Sequence, residues 1–575
     1  MDVELFVYGA TPASLFAAIV AARDGKSVVI CAPEPGIGGM ITGGLGISDA
    51  PLSFRNWDGG VVQEFTEALV ARTGFDGSSF LNWNFAPSDA LAAFNVLLAA
   101  EPNITLRLGE TITAVSRSQV DDINGQPVGA LDGRGDRIAS VTTAPCTWLA
   151  TPGAGDTYTA TVFVDGSYNG GLMAAAGVPF RIGRDAASAF EESYAGVHSG
   201  HVTTRSYDVV DADGDLTKYG GWKPLEADGQ ADRRMMALGY RNCITNIAGA
   251  NNLGFPAPPG YDPEDFRAEI VLAQKDTSIG LTTREHAYNP VYRTSYDDAS
   301  ASAAIDGYAG MTEKERQEAW LRYSSVAEMA AYPDKFATNG SDIRGVLAAE
   351  MATASDTRRH EIREQLAYRE LGRLHTFQTH ADVPQVVRDR FAGWGLCADE
   401  WQEDYILTPG WPSEIYERHG RRLVGQVTVD FWHAAYEVNW PDQIAVGAYF
   451  MDSKAKAQWA TPFGGNAFEG HYAVQPFDDA NGNPVRADTY NYVGIPLRAV
   501  VPPVGVCDNL ALCWCVSASE VAFSSIRLEP FLSAVGEAVG HLACAAINTG
   551  VAPARLDYST VRARLDAAGL TITRF

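Results

Sequence analysis

The sequence predicts an α/β protein with a Rossmann-like parallel sheet, interrupted by a large inserted α+β segment. Three observations predict this. A strand–turn–helix–strand unit opens the chain, a glycine run follows it directly, and the same alternation of apolar strands and helices returns near residue 486. We therefore expect one lobe from residues 1–185 and 486–575 and a second from residues 186–485, although ~150 residues per domain would suggest three or four units.

The opening unit has the pattern of a parallel βαβ motif. Residues 3–8 form an apolar run that ends at Gly9, and residues 27–31 form a second apolar run. Between them, residues 12–24 carry apolar side chains at helical spacing, with a proline suited to the first turn and Gly25 suited to the helix end. A strand, a helix and a strand within about 30 residues predict a parallel crossover.

The rest of the chain predicts elements of both types. They are helices at 60–73, 86–100, 312–335, 341–375 and about 529–548, strands at 104–117 (one strand or two short ones), 159–165 and 510–517, and a hairpin excursion rich in Gly and Asp at 118–158. The basic run at 418–422 also has the look of a helix, with a charged face that pairs with the acidic protein.

The composition argues against several classes of function. A formal net charge of −26 makes nucleic acid and anionic membrane poor partners, so we expect a small-molecule substrate. The eight cysteines form no CxxC pair, no run of 18 apolar residues occurs, and the ten histidines form no metal-binding motif such as HExxH. These features predict a cytoplasmic protein with buried thiols and without a metal.

The turn after the first strand lies where a dinucleotide's pyrophosphate binds in βαβ folds. The turn consists of Gly9, Ala10, Thr11, Pro12, Ala13 and Ser14. Gly9 allows the tight turn, Thr11 and Ser14 are small, and the following helix offers free N–H groups to phosphate. The alternative is a βαβ unit that binds nothing. The acid expected on the ribose is replaced by Ala32, and Glu34 either substitutes for it or is an ordinary loop carboxylate.

A second glycine-rich segment follows the second strand. It contains Gly38, Gly39, Met40, Ile41, Thr42, Gly43 and Gly44. Glycines let a backbone approach a flat ring system closely and present N–H donors to it. The alternative is a flexible loop, but such loops usually carry more Ser, Asn and Asp than this one.

The arrangement VYGATPAS…PGIGGMITGGLGISD resembles the FAD-dependent oxidoreductase family whose members often carry the label "xanthan-lyase-like". The resemblance runs the length of the chain and covers further long blocks at 84–98, 163–177, 240–245, 258–263, 407–426, 449–453, 495–502 and 515–540. It implies an FAD/NAD(P)-binding Rossmann-like domain of the glutathione-reductase type, with a large inserted α+β substrate domain and FAD as cofactor.

The resemblance also implies roles for individual residues. The pyrophosphate would be bound by Gly9, Pro12, Ala13 and Ser14, and the isoalloxazine and ribityl groups by Gly38, Gly39, Met40, Thr42, Gly43 and Gly44. The adenine would contact Thr111 and Ile112, and Asp165 would close the strand near the cofactor. The turn that aims the last helix at the flavin would consist of Ser525, Ile526 and Arg527. A helix N-terminus there would stabilise the anionic reduced flavin.

The chain departs from the family pattern at several polar positions. Family members have a glycine at Ser14, an acid at Ala32 and a histidine at Glu520. They have Tyr-Glu-Gly-Asp where this chain has Tyr-Asn-Gly-Gly at 168–171, and Ser-His-Asn-x-Gln-Arg where it has Ser-Lys-Ala-Lys-Ala-Gln at 453–458.

The predicted function is an FAD-dependent oxidoreductase, in which hydride passes from a small organic substrate to flavin N5 while a protein base takes the proton. The candidate bases are Glu520, Asp452, His433 and Tyr449. Glu520 has two alternative roles, as a helix cap or as a partner of Arg527. Two other functions stay open: a non-redox enzyme (cyclase, isomerase or dehydratase) with FAD structural or lost, and a binding protein without catalysis.

Overall fold

A computed structural model describes residues 1–46, 60–73, 85–118, 136–198, 203–205, 226–281, 283–284, 335–338, 346–460, 466–474 and 492–573. The predicted helix at 312–335 lies outside these residues except for its last position, as does the middle of the hairpin excursion at 118–158.

The strands are short except at the start of the chain. In chain order they are β1 Asp2–Tyr8, β2 Val28–Ala32, β3 Ile104–Leu108, β4 Glu110–Ser118, β5 Arg137–Pro145, β6 Thr157–Asp165, β7 Phe180–Arg181, β8 Thr203–Arg205, β9 Cys243–Thr245, β10 Thr283–Arg284, β11 Phe336–Thr338, β12 Gly395–Leu396, β13 Arg422–Leu423, β14 Gln443–Ala448, β15 Met451–Ser453, β16 Ala457–Ala460, β17 Asn466–Glu469, β18 Tyr472–Val474, β19 Tyr492–Pro496 and β20 Leu510–Leu512.

The two longest α-helices of the described residues are Asp356–Thr379 and Glu529–Thr549. In chain order the α-helices are α1 Pro12–Arg23, α2 Gly39–Thr42, α3 Gly60–Thr73, α4 Pro87–Ala99, α5 Gly171–Ala175, α6 Ala187–Phe190, α7 Arg267–Lys275, α8 Val346–Met351, α9 Asp356–Thr379, α10 Gln385–Phe391, α11 Phe431–Ala435, α12 Glu520–Ile526, α13 Glu529–Thr549 and α14 Tyr558–Ala567. Single 3₁₀ turns occupy Pro263–Phe266, Leu497–Ala499 and Pro553–Arg555.

A seven-stranded sheet forms from both ends of the chain. The strand order is β3-β2-β1-β6-β5-β4, and β20 pairs with the other edge of β6. Pairing is parallel from β3 through β2 and β1 to β6 and β20, whereas β4, β5 and β6 form an antiparallel excursion. Tyr8 of β1 is opposite Cys31 of β2 and Asp165 of β6, so three strands end together at one edge. This confirms the α/β class and the Rossmann-like βαβ unit.

Helices α1 and α13 pack against each other on this sheet. Small residues make the contact close: a Cβ on Gly536 would overlap the carbonyl of Ala13. By length and composition alone α13 could cross a membrane, but 83% of its most apolar window is buried in the protein. Together with the strands, these helices build a continuous hydrophobic core that includes residues from 5 to 572.

A second hydrophobic core lies entirely within residues 235–415. Helix α9 is its centre, because this 24-residue helix buries Ile362, Leu366, Leu371 and Phe377 in the core. Residues 416–451, in contrast, contribute to the first core. The division into lobes at residues 186 and 485 stays a prediction.

The segment 104–117 forms two strands, one of the two predicted alternatives, because Gly109 takes a positive φ of 70° between them. Other predicted elements differ from the structure. The helix predicted at 341–375 is interrupted before Ser355, whose hydroxyl caps α9 by accepting from the Arg358 N–H. The basic run at 418–422 is not helical, and that prediction is wrong: Arg422 begins β13, is fully buried and pairs with Asp185 at 3.0 Å.

Candidate functional site

A pocket opens where β1, β2 and β6 end. Its walls are the turn after β1, the loop after β2, the loop after β6 and the first turn of α9. Ligands of open parallel sheets bind at the carboxyl ends of the strands, so this pocket occupies the expected place. Gly9, Thr11, Glu34 and Gly39 are the predicted cofactor residues that line it.

The turn after β1 has the geometry of an anion-binding turn. Gly9 has a φ of 93°, and a Cβ there would lie 2.6 Å from the backbone nitrogen of Ser167, so only glycine fits. The Thr11 hydroxyl caps α1: it accepts from the Ser14 N–H at 3.4 Å and donates to the Gly166 carbonyl at 2.7 Å. The α1 N-terminus therefore faces the pocket with its positive dipole end.

Two carboxylates stand at the pocket near the ends of β1 and β2. Glu34 follows β2, and its carboxylate contacts the Arg363 guanidinium at 3.1 Å. Asp356, the first residue of α9, accepts hydrogen bonds from the hydroxyls of Tyr8 at 3.0 Å and Thr111 at 2.5 Å. Asp356 thus reaches the pocket although it is 324 residues beyond Ala32, the last residue of β2.

Tyr168 covers the start of the glycine-rich segment. Its hydroxyl accepts from the Met40 N–H at 2.6 Å and donates to the Glu529 carboxylate at 2.7 Å. A Cβ on Gly39, which has a φ of 47°, would overlap that hydroxyl. Glu529 begins α13, so this long helix does start beside the glycine-rich segment.

The later glycines of this segment are packed against the protein. A Cβ on Gly43 would lie 2.8 Å from the Cβ of Glu414, and a Cβ on Gly44 would overlap the carbonyl of Arg241. The Thr42 hydroxyl donates to the Ile37 carbonyl at 2.5 Å. The absence of a Cβ at Gly43 and Gly44 therefore lets the backbone of the glycine-rich segment approach Glu414 and Arg241 of the inserted segment closely.

Burial controls the protonation of the carboxyls beside Gly39. Burial raises the pKa of Glu414 to about 8, even though the nearby Arg363 opposes the shift. Burial also raises the pKa of Glu529 to about 8, while its hydrogen bond from Tyr168 opposes the shift. Both groups can therefore gain or lose a proton near neutral pH, which is the property of a general acid or base.

The candidate base Glu520 lies away from this pocket. It is the first residue of α12, fully buried, with its Oε1 2.9 Å from the Lys456 ammonium. That distance makes an ion pair, although the angle is poor for a hydrogen bond. The cap of α12 is the Ser519 hydroxyl rather than Glu520, and Arg527 pairs with Asp452 at 2.8 Å. Neither alternative role of Glu520 therefore matches its contacts.

The other candidate bases also lie elsewhere in the described structure. The Asp452 carboxylate pairs with the Arg527 guanidinium. Burial alone would raise the pKa of Asp452, but the charges of Arg527 and Lys454 outweigh burial and lower this pKa. The Asp430 carboxylate caps α11 by accepting from the His433 N–H at 3.0 Å, and the partly exposed His433 ring lies 2.6 Å from the same carboxylate. The backbone carbonyl of Tyr449 accepts from Ser525 at 2.7 Å. Their catalytic assignment stays a prediction.

The remaining predicted cofactor residues have structural contacts outside the pocket. Asp165 accepts from the Met173 N–H at 2.7 Å and from Ser167, which orders the loop after β6. The others are buried in α1 (Pro12, Ala13 and Ser14), in or next to α2 (Gly38, Met40, Thr42, Gly43 and Gly44), partly buried on β4 (Ile112), or buried at the end of α12 (Ser525, Ile526 and Arg527). Their roles at the cofactor stay predictions.

Sequence reasoning missed several residues that line the pocket. These are Tyr8, Ser167, Tyr168, Asn169, Asp356, Arg359 and Glu414. Asp356 and Arg359 come from a helix whose polar pattern indicated only a solvated face. No local motif marks them, because the tertiary packing of the second core brings them to the strand ends.

Comparison with known proteins identifies the family. Residues 4–565 match the family described as "FAD dependent oxidoreductase". Among curated proteins, none is significantly similar to the chain. Solved structures with partial similarity include THI4 of Thermovibrio ammonificans (18% identity, 34% of this chain and 71% of that chain, TM-score 0.21). Another is the p-nitrophenol 4-monooxygenase PnpA of Pseudomonas putida (13% identity, 32% and 44%, TM-score 0.20).

A third is the thioredoxin reductase of T. acidophilum (19% identity, 29% and 35%, TM-score 0.16), of which this chain covers about a third. Similarities of this size cover a minority of the chain, and the family is shown by the match over residues 4–565.

By their chemistry, the residues that line the pocket suit the nucleotide half of FAD. The turn at Gly9, where a Cβ would not fit, and the α1 N-terminus suit the pyrophosphate. The carboxylates of Glu34 and Asp356 suit hydroxyl donors such as those of a ribose. The chain belongs to the FAD-dependent oxidoreductase family, and FAD is its cofactor.

Proposed function

We propose that the protein is an FAD-dependent oxidoreductase of the dehydrogenase or oxidase type that acts on a small organic substrate. The observation that carries the proposal is the Gly9 turn at the head of α1, placed in a pocket of a chain that matches the family from residue 4 to residue 565. When bound, FAD supplies a hydride acceptor at N5 for a substrate C–H bond.

The protein's own residues would bind the cofactor and control its surroundings. The Gly9 turn and α1 hold the phosphates, and Tyr168 fixes the backbone of Met40 by a hydrogen bond of 2.6 Å. Helix α13 begins at Glu529 beside the same tyrosine, so its positive dipole end faces this part of the site. The wall from α9 shields the nucleotide side from water.

Glu414 is the carboxyl best placed to accept the substrate's proton. Its Cβ packs against Gly43 of the glycine-rich segment that is predicted to contact the isoalloxazine ring, and burial raises its pKa to about 8. A base works best when its pKa is near the operating pH, because it is then both available and strong enough. The Arg363 guanidinium, 3.1 Å from Glu414, favours the ionised carboxylate, which is the form that accepts a proton.

The test is anaerobic reduction of the bound flavin, measured as loss of its visible absorbance when candidate alcohols, amines and sugars are added. We expect at least one substrate to bleach the flavin, and Glu414→Gln to slow the bleaching by ~10²–10⁴-fold at unchanged flavin content. Glu361→Gln is the matched control, since this exposed residue of α9 pairs with Arg358 at the surface.

Two outcomes would count against this assignment. Unchanged bleaching in Glu414→Gln and slow bleaching in Glu520→Gln would transfer the base to Glu520. Turnover of a substrate without any bleaching would replace the redox function by a cyclase, isomerase or dehydratase activity.

A further inference from the structure

The structure places Asp356 of α9 in the pocket, beside the end of β1 and the start of β4. We propose that Asp356 binds the ribose hydroxyls of FAD in place of the acid that this chain lacks at the end of β2. The inference rests on the proposed function only insofar as FAD occupies this pocket.

The residue at the end of β2 cannot perform this role. Ala32 closes the strand, is fully buried and has no hydrogen-bonding side chain. In dinucleotide-binding folds a carboxylate near this position accepts hydrogen bonds from the ribose. Glu34, two residues later, is engaged by Arg363 at 3.1 Å, and Arg363 also contacts Glu414 at 3.1 Å. The Glu34 carboxylate is therefore partly neutralised from the far side of the pocket.

Asp356 is held at the strand ends by two hydroxyls. Its Oδ2 accepts from Tyr8, the last residue of β1, and from Thr111, the second residue of β4. Both bonds fix the same carboxylate oxygen. The structure gives Oδ1 no partner within the described part of the chain, and the residue lines the pocket together with Gly9 and Thr11. A vicinal diol can donate to such an oxygen, whereas a phosphate cannot.

Charge separates the two ends of the nucleotide within the pocket. The α1 N-terminus offers positive potential at Thr11, where the phosphates are stabilised. Asp356 is a carboxylate and would repel a phosphate, so it fits the hydroxyl-bearing ribose. Arg359, one turn further along α9, lines the pocket with its guanidinium held by the Met351 carbonyl at 2.6 Å and by Glu417. It lowers the cost of placing the acid beside a dianionic ligand.

The inference is tested by displacement of FAD from the full-length FAD-loaded protein, read as the rise in FAD fluorescence. The competitors are ADP and 2′,3′-dideoxyadenosine diphosphate, which differ only in the two hydroxyls. We expect the parent to prefer ADP by about 10–100-fold, as for hydrogen bonds to a charged acceptor. Asp356→Asn should reduce this preference to within about threefold, because a neutral amide is a weaker acceptor.

Asparagine keeps a carbonyl for Tyr8 and Thr111, so the variant should retain the fold, which circular dichroism checks. The control is Glu361→Gln on the same helix, which should keep the parent's preference for ADP. A parent without that preference, or an Asp356→Asn variant that retains it, would overturn the inference. Because the FAD content and the substrate bleaching are measured separately, such a failure leaves the proposed function intact.

Discussion

Replacement of Lys456 by methionine is expected to lower the free energy of unfolding by about 3–5 kcal/mol. Lys456 and Glu520 are both fully buried, and their charged atoms are 2.9 Å apart. The ammonium also lies 4.8 Å from the centre of the Tyr472 ring. Methionine has a similar length but no charge, so the Glu520 carboxylate would be left without its main cation in a dry environment.

Urea denaturation measures this effect, with Lys454→Met as the control. Lys454 is two residues earlier and about one-third exposed, where it pairs with Asp452 at 3.2 Å. Asp452 keeps its second cation, Arg527, and solvent reaches the Lys454 ammonium, so this pair should contribute only ~0–1 kcal/mol and the control should lose little stability. The double variant Lys456→Met/Glu520→Gln should recover part of the loss, since it removes both charges. Equal losses in Lys456→Met and Lys454→Met would show that the buried ion pair does not stabilise the fold.

Gly39→Asp is expected to reduce the FAD content of the purified protein more than tenfold. A Cβ at this position would overlap the Tyr168 hydroxyl, which holds Met40 and Glu529. The new carboxylate would also face Glu529 and the pocket, where it repels the phosphates of FAD. The measurement is the ratio of flavin to protein absorbance, together with the thermal unfolding midpoint.

Gly25→Asp is the matched control for backbone strain. Gly25 also has a positive φ, 80°, but a Cβ there meets no atom within 4 Å. This variant should lose a similar amount of stability from its backbone and keep its FAD. If Gly39→Asp binds FAD as well as the parent, the glycine-rich segment does not contact the cofactor.

The fold was predictable where local signals agree with tertiary packing. The apolar runs of β1 and β2, the proline and glycine at the two ends of α1, and the helix at Glu529–Thr549 are all present. In each of these the pattern of apolar residues and the terminal residues indicate the same element. The interruption before Ser355 was missed because the amphipathic pattern continues across it.

The site was predictable only where one continuous segment builds it. Gly9, Thr11, Glu34 and Gly39 line the pocket as local motifs indicate. Asp356 and Glu414 reach the same pocket from the second core, and no sequence period reports such a contact. The pairing of Lys456 with Glu520 is similar: Glu520 departs from the family pattern, but only the structure shows that Lys456 lies beside it as a cation.

The visible absorbance spectrum of the purified protein, before and after incubation with excess FAD and gel filtration, tests most directly whether the protein binds FAD in this pocket. We expect flavin bands in the protein fraction, at up to one FAD per chain after incubation, and their loss in Gly39→Asp. If the parent protein stays colourless after incubation with FAD, the pocket at the ends of β1, β2 and β6 is not a flavin site.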